Sequence, residues 1–507
     1  CNKQIEFYDW FSRVVVNWLD IARYKALQRI DKAIELDTLT PVDSSVKYSS
    51  SALDSVGIFY TVKEFWEQIE WPDVEACCAY VSKIIEDICK SCTHFADKMS
   101  KKIDALQSTT RTNEFEVTPQ WCYAINNIDY VRHSIEPLVQ KLGVFKIANK
   151  LVEASDIVLG ERFERTVKEM VDNANELLAA KQRDLIFNAI NKMLPVIQKL
   201  LLEFEKDNSL HKLMTYLDDS LITMKEQLSS ENFDRVLATI WKSVLSKMED
   251  ITESSLNQKK PHQFFKGLLE TFDVFVDYFN ESSDANDEFR SSLELYSLST
   301  DELIHRYHVQ QCRRGQGQSN EDINGDCGQL TICAMILKTK GLLKIEIMNC
   351  RSLKPVRSNG ICNPCVKINF LPADQFLKTS KPKTQVQKNN LFPLFDETLE
   401  IVLTNDQMSM NDALIQFEVI DHYFLCINKF VAECFFLLNK VKLVDDPEED
   451  MMNMPQIQLK LGKPSSEHDP KIWNVIEQRS LSWTDKKANE FIKRQKARMN
   501  RTNCQEA

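Results

Sequence analysis

At Gly328 the spacing of apolar residues changes from threes and fours to twos, and a chain with that change cannot fold as one uniform architecture. Upstream, Val81, Ile84, Ile85, Ile88, Cys89, Cys92, Phe95, Ala96 and Met99 step along one helix face. Phe233, Val236, Leu237, Ile240, Trp241, Val244, Leu245, Met248 and Ile251 do the same, with Lys242, Ser246, Lys247 and Glu249 opposite. Downstream, Leu330, Ile332, Ala334 and Ile336, then Leu343, Ile345 and Ile347, alternate as strands do. Further alternating runs at 365–371, 398–403, 414–420, 430–436 and 456–460 make seven, and about eight strands are expected, the size of an antiparallel sandwich. The expected fold class is multidomain: an all-α elongated helical-bundle rod followed by an all-β sandwich.

Polar, Gly and Pro residues collect at 38–51, 108–120, 142–144, 258–262 and 282–287, and Pro72-Asp73 opens a helix. Long helices with short connections predict stacked bundles over residues 1–307. Gln310 to Asp326 carries almost no large apolar side chain, so 308–327 is expected to be a flexible linker. The sandwich is assigned to 328–462 and a C-terminal extension to 463–507. Within it, 485–501 holds seven Lys or Arg against two acids, with Phe491 and Ile492 beside them. Such a helix touches anionic lipid or packs, solvated, beside the sandwich.

The formal charge of −11 argues against a general nucleic-acid binder. No unbroken run of 18 apolar residues occurs, so no membrane span is expected. The chain opens on Cys1-Asn-Lys-Gln and is expected to be a fragment that has lost any targeting segment. Two Cys-x-x-Cys pairs, Cys89/Cys92 and Cys362/Cys365, lack a neighbouring second pair, so no metal or other cofactor is expected. Phosphate-binding glycine loops and nucleophile elbows are missing, and the reading is non-enzymatic.

The segments Gly341 to Leu353, Ser358 to Pro372 and Asn390-Leu-Phe-Pro-Leu-Phe-Asp-Glu-Thr-Leu399 resemble a C2 domain. In that family, aspartates on loops at one end hold calcium, which takes six to eight oxygen ligands. Aligned by its Asn-Gly and Asn-Pro landmarks and by Phe430-Val-Ala-Glu433, this chain has Arg357, Asn363, Asp421, Tyr423 and Lys429 there. Asp421 is the only calcium-type aspartate left. Calcium binding at this domain is therefore not expected, and docking would rest on other forces.

The helical part carries a second resemblance. Trp10 to Ala22, Lys25 to Ile30, Phe65-Trp66 and Trp71-Pro-Asp73 resemble the first Munc homology region of the Unc-13 family, assigned to 1–135. Phe233 to Ile251 resembles the second, assigned to 200–307, and Leu295 to Tyr307 looks like the helix that ends the family's MUN domain. Ile472 to Arg479 and Ala488 to Lys493 are similar to its C-terminal extension. The branch implied is that of the D-type protein and BAI-associated-protein-three-like members. The resemblance implies a tethering-complex-like rod that bridges membranes in exocytosis or endosomal traffic and assists SNARE assembly. Its implied partners are syntaxin- and synaptobrevin-type SNAREs, anionic phospholipid membranes and a Rab-type small GTPase, with no nucleic acid. It implies a cytoplasmic protein, peripheral on a vesicle, endosome or plasma membrane. The alternative is a scaffold or adaptor whose sandwich is purely structural. Some members carry an Asn-x-x-Phe pair linked to opening syntaxin, and those positions are Tyr60 and Lys63 here.

The membrane-binding candidates are Arg357 and Lys429 for charge and Tyr423, Phe424 and Leu425 for insertion, unless packing pins the last three inward. Each cation contributes about 1 kcal/mol at an anionic surface and a buried Phe about 1.5–3 kcal/mol. Lys378, Lys381, Lys383 and Lys388 form a second candidate surface, for phosphoinositide head groups or as a solvated face.

Overall fold

The computed structural model describes residues 8–108, 115–153, 157–203, 209–280, 283–317, 327–357, 359–423, 428–445, 451–467, 469–481 and 485–499. Eleven helices come first: α1 (Asp9–Leu36), α2 (Ser50–Ile69), α3 (Val74–Ser108), α4 (Pro119–Lys141), α5 (Val144–Glu153), α6 (Ile157–Leu202), α7 (Ser209–Gln227), α8 (Ser230–Asn257), α9 (His262–Phe279), α10 (Asp284–Ser297) and α11 (Thr300–Gly317). Strands β1 (Gln329–Leu337), β2 (Leu342–Arg351), β3 (Pro364–Leu371) and β4 (Leu394–Val402) follow, then the short α12 (Asn405–Ser409). Strands β5 (Leu414–Asp421), β6 (Lys429–Leu437), β7 (Lys442–Val444) and β8 (Ile457–Lys460) lead to α13 (Pro470–Ser480) and α14 (Lys486–Met499). The chain divides into two compact units, 1–256 with 271–282, and 257–270 with 283–507.

In the first unit α3 is the central helix. Val81, Ile84, Ile85, Ile88, Cys89, Cys92, Phe95, Ala96, Met99 and Ile103 are all buried, where α1, α4, α5 and α6 pack on it. Side chains of this size each contribute about 1.5–3 kcal/mol when buried, so the stripe read from the sequence is the unit's main adhesive. The connection from α1 to α2 is held by a polar seam. The Asp37 carboxylate accepts from the Ser49 and Ser51 hydroxyls, both at 2.5 Å, and from the Leu39 N–H at 2.9 Å. The Lys47 ammonium donates to the Leu228 carbonyl at 2.6 Å, satisfying a group at the end of α7 that its helix leaves open. Helix α6 contains an 18-residue window of mean hydropathy 1.3, enough by length and composition to cross a membrane, although the sequence reading expected no span. Its apolar residues are interrupted rather than contiguous, and Leu178, Leu185, Ile186, Ala189, Ile190 and Met193 are buried in the unit.

The second unit contains the sandwich. One sheet runs β4-β2-β1-β7, with β8 also paired to β1, and the other runs β3-β5-β6. All pairs are antiparallel except β1 with β7. Leu330, Ile332, Ala334 and Ile336 of β1 face the core between the sheets, with Ile345, Ile368, Phe417 and Val419. Cys333, Met335 and Leu337 face the other way and are covered by Val444 and Met454, so β1 is buried on both sides. Gly328 enters β1 at φ +108°, and a Cβ there would stand 2.5 Å from the Arg351 carbonyl oxygen. Only glycine fits that approach.

Two expectations change here. Residues 308–317, assigned to a flexible linker, belong to α11: Val309 and Cys312 bury against Leu414 and Phe435 of the sandwich. A helix needs few apolar residues when tertiary packing fixes it, and this polar stretch supplies two, three residues apart. The remainder, 318–326, lies outside the described residues. The basic extension is likewise engaged. Ile472, Trp473 and Ile476 of α13 and Ala488, Phe491 and Ile492 of α14 form one core with Leu303 and Tyr307 of α11. On α14, Lys487 pairs with Asp301, Lys496 with Glu477, and Arg498 with Glu418 and Glu433. Of the two readings left open, the helix that packs beside the sandwich is the one found.

Candidate functional site

Three connections meet at one end of the sandwich, described over 352–357 and 359–363, over 388–393, and at 422, 423 and 428. Their backbones are stitched together. The Leu353 N–H donates to the Leu391 carbonyl at 3.1 Å, the Asn390 N–H to the Cys362 carbonyl at 3.0 Å, and the His422 N–H to the Asn363 carbonyl at 2.9 Å. Asn363 bridges all three, its side-chain oxygen accepting from the Asn389 N–H at 2.9 Å and its amide donating to the His422 carbonyl at 3.3 Å.

Asp421 ends β5 inside this junction and is 0% exposed. A buried carboxylate needs a partner of opposite charge. Arg357 provides it with two parallel bonds, Nε to Oδ2 at 2.7 Å and Nη2 to Oδ1 at 2.6 Å. Nη2 also donates to the His422 carbonyl at 2.9 Å, and the Asn363 N–H donates to Asp421 Oδ1 at 2.8 Å. The bonds from Asp421 push the Arg357 pKa still higher, so this cation is permanent. Tyr423 lies over it, the ring centroid 4.1 Å from the guanidinium carbon, with the Lys429 ammonium 5.3 Å from the same ring. The Arg357 counted in the sequence as a free surface charge is committed inside the protein. Its partner is 64 residues away in sequence, a pairing only the topology creates. Phe424 and Leu425 lie outside the described residues.

Lys378, Lys381, Lys383 and Lys388 are all exposed. Their segment runs beside β3 as an irregular edge: the Ile368 N–H donates to Pro382, Thr384 to Val366 and Gln387 to Pro364, at 2.9–3.0 Å. That hydrogen bonding leaves the lysine side chains free to face outward, and among the described residues no ion pair holds any of the four. Lys388 opens the second loop, so the row reaches the loop end. The sequence reading missed Phe392, 64% exposed on that second loop. Its N–H donates to the Asn390 side chain at 2.8 Å, a tight turn that packs the half-buried Leu391 against the core and turns Phe392 outward. The signal was an aromatic residue between Asn390 and Pro393.

The other candidates are structural. Burial pushes the Cys362 thiol up to about 12 and the Cys89 thiol to about 11, keeping both protonated. Asp129, His133 and Glu231 come within 4.8 Å of one another, but Arg132 and Arg235 occupy the carboxylates there, which disfavours a cation. On α2, Tyr60 receives the Lys141 ammonium, 4.9 Å from its ring centroid, and Lys63 pairs with Glu67.

Residues 1–311 match the MUN domain family model and residues 341–454 match the C2 domain model. Protein unc-13 homolog 4B of Drosophila melanogaster is 35% identical over 98% of this chain and 43% of its own length. Human protein unc-13 homolog D is 25% identical over 96% and 45%, and mouse BAI1-associated protein 3 is 23% identical over 96% and 42%. The chain thus spans less than half the length of these relatives. The crystal structure of a C2 domain of RIM from Drosophila, 19% identical, covers 26% of this chain and 98% of its own, with a TM-score of 0.22.

Proposed function

The chain belongs to the Unc-13 family of MUN-domain proteins, and on that footing we propose that it acts in vesicle priming, its sandwich docking on anionic membrane without calcium while its helical region assists SNARE assembly. The observation that carries the calcium independence is the Arg357–Asp421 pair. Calcium would have to displace a guanidinium that is tethered to the chain, doubly bonded and largely covered. The cation position is filled from within, and the loops are joined without an ion.

Docking then rests on Lys378, Lys381, Lys383, Lys388 and Lys429 for anionic head groups and on Phe392, with Tyr423, at the loop end. Each lysine contributes about 1 kcal/mol near an anionic surface. Five such charges with one inserted aromatic come to about 6.5–8 kcal/mol, roughly 1–20 micromolar, and bridging draws further strength from a second membrane contact.

Co-sedimentation of the full 507-residue chain with phosphatidylcholine, phosphatidylserine and phosphoinositide vesicles tests this, each with calcium and with chelator. The expected result is binding to the anionic vesicles that calcium leaves unchanged and that a Lys378→Glu, Lys381→Glu, Lys383→Glu, Lys388→Glu variant reduces. Binding seen only with calcium, or undiminished in that variant, would overturn the reading. No binding under any condition would favour a scaffold with a structural sandwich.

A further inference from the structure

The first unit exposes a second surface of similar chemistry, far in sequence from the sandwich. Helix α5 turns Ala148 and Leu151 inward and leaves Phe145 70% exposed. Asn149 and Val152 continue the outward row one and two turns on, and Lys146 and Lys150 form a parallel row beside it. Gly160 brings the start of α6 against this helix: a Cβ there would lie 3.1 Å from the Ala148 carbonyl oxygen and 3.4 Å from Val152 Cγ2. That approach brings the first turn of α6, where Ile157 is 55% and Val158 77% exposed, beside Val152. Lys141, at the end of α4, is exposed as well and rests over the Tyr60 ring.

We propose that this corner, Phe145, Val152, Ile157 and Val158 flanked by Lys141, Lys146 and Lys150, is a membrane-contact surface for anionic phospholipid. The mixture is the one an interfacial helix uses, apolar groups below the head groups and ammonium groups among the phosphates. On α5 itself two lysines stand against one acid, Glu153, and over 141–165 five Lys or Arg stand against four acids. A groove on a partner protein is the poorer fit, because helix-in-groove recognition reads apolar anchors at i, i+4 and i+7, and here the middle position of Phe145, Asn149 and Val152 is polar. The inference stands apart from the proposed docking of the sandwich, since no residue is shared.

The test uses the full chain carrying Lys378→Glu, Lys381→Glu, Lys383→Glu and Lys388→Glu, which silences the sandwich row. On phosphatidylserine vesicles, adding Lys146→Glu and Lys150→Glu is expected to weaken the remaining association by about fivefold per lysine or more. Phe145→Trp, in the chain without the lysine changes, is expected to show fluorescence quenching by brominated acyl chains beyond that of the parent. Unchanged association in the double charge reversal, or no added quenching in the Phe145→Trp variant, overturns the proposal. So does a fall in molecular mass by light scattering with Phe145→Ser, which would assign the corner to contact between two copies. All these positions are exposed, and an unchanged melting profile confirms that each variant folds. Failure here with calcium-independent binding by the unmodified chain leaves the sandwich reading intact.

Discussion

Replacing Arg357 by Met keeps most of the side-chain stem and removes the charge, leaving Asp421 buried with the Asn363 N–H as its remaining donor of those described above. Breaking a buried ion pair from one side costs about 3–5 kcal/mol, chiefly because the surviving charge is stranded. The Arg357 side chain is partly exposed, so water can reach the vacated place, and the lower end, about 3 kcal/mol, applies. Hydrogen exchange followed by mass spectrometry reads this locally in the full chain. A loss of about 3 kcal/mol speeds exchange by roughly a hundredfold in peptides covering β5 and the start of β6, with α1 to α4 unaffected. The double variant Arg357→Met, Asp421→Asn removes both charges and is expected to recover most of the protection. Acceleration under about fivefold in the single variant, or no recovery in the double, would refute the claim that Arg357 stands in for an ion.

Three further outcomes follow from buried groups. Burial, with Arg494, His305 and Arg498 nearby, holds His308 down to about 3, against an ordinary value of 6.5. The unfolded chain therefore binds the extra proton first, and stability falls as pH drops from about 6.5 toward 3. His308→Asn is expected to lose about 2 kcal/mol less than the parent between about pH 7.5 and pH 5 in urea unfolding, and equal losses would contradict this. Arg498→Met strands Glu433, whose carboxyl burial already drives upward, and should cost about 3 kcal/mol, read as faster exchange in β6 and α14 and relieved by Glu433→Gln. Gly328→Ala forces a Cβ against two carbonyl oxygens from a left-handed backbone, and a loss of about 2 kcal/mol in sandwich stability is expected; a neutral result would mean that the turn relaxes freely.

Periodicity made most of the architecture legible. The stripes on α3 and α8 and the alternation in β1 and β2 were readable because burial on one face leaves a period in the sequence. Helix boundaries without Gly or Pro were harder, as at Leu228-Ser229 and Leu298-Ser299, where a side-chain cap rather than a breaker ends the period. The lower half of α11 was hidden because few of its residues are apolar: Val309 and Cys312 anchor it together with the buried His308 ring against Phe435. At the loop end the residue types were readable but the pairing was not. Arg357 looked like a surface cation because charge is a property of one residue, whereas neutralisation by Asp421 belongs to two segments meeting in space. Phe392 was passed over for a similar reason: exposure depends on which of two neighbouring apolar residues the turn faces inward.

The core shared by α11, α13 and α14 has a mechanical meaning. A pull on the sandwich, as from a membrane-bound object drifting away, reaches α11 by two routes, the covalent chain between them and the packed surface of Trp473, Phe491, Tyr307 and Phe435 with the Arg498 ion pairs. The second route is loaded across many side chains at once, so they must yield together for α11 to part from the sandwich. Helices α13 and α14 thus share any load that passes between α11 and the sandwich.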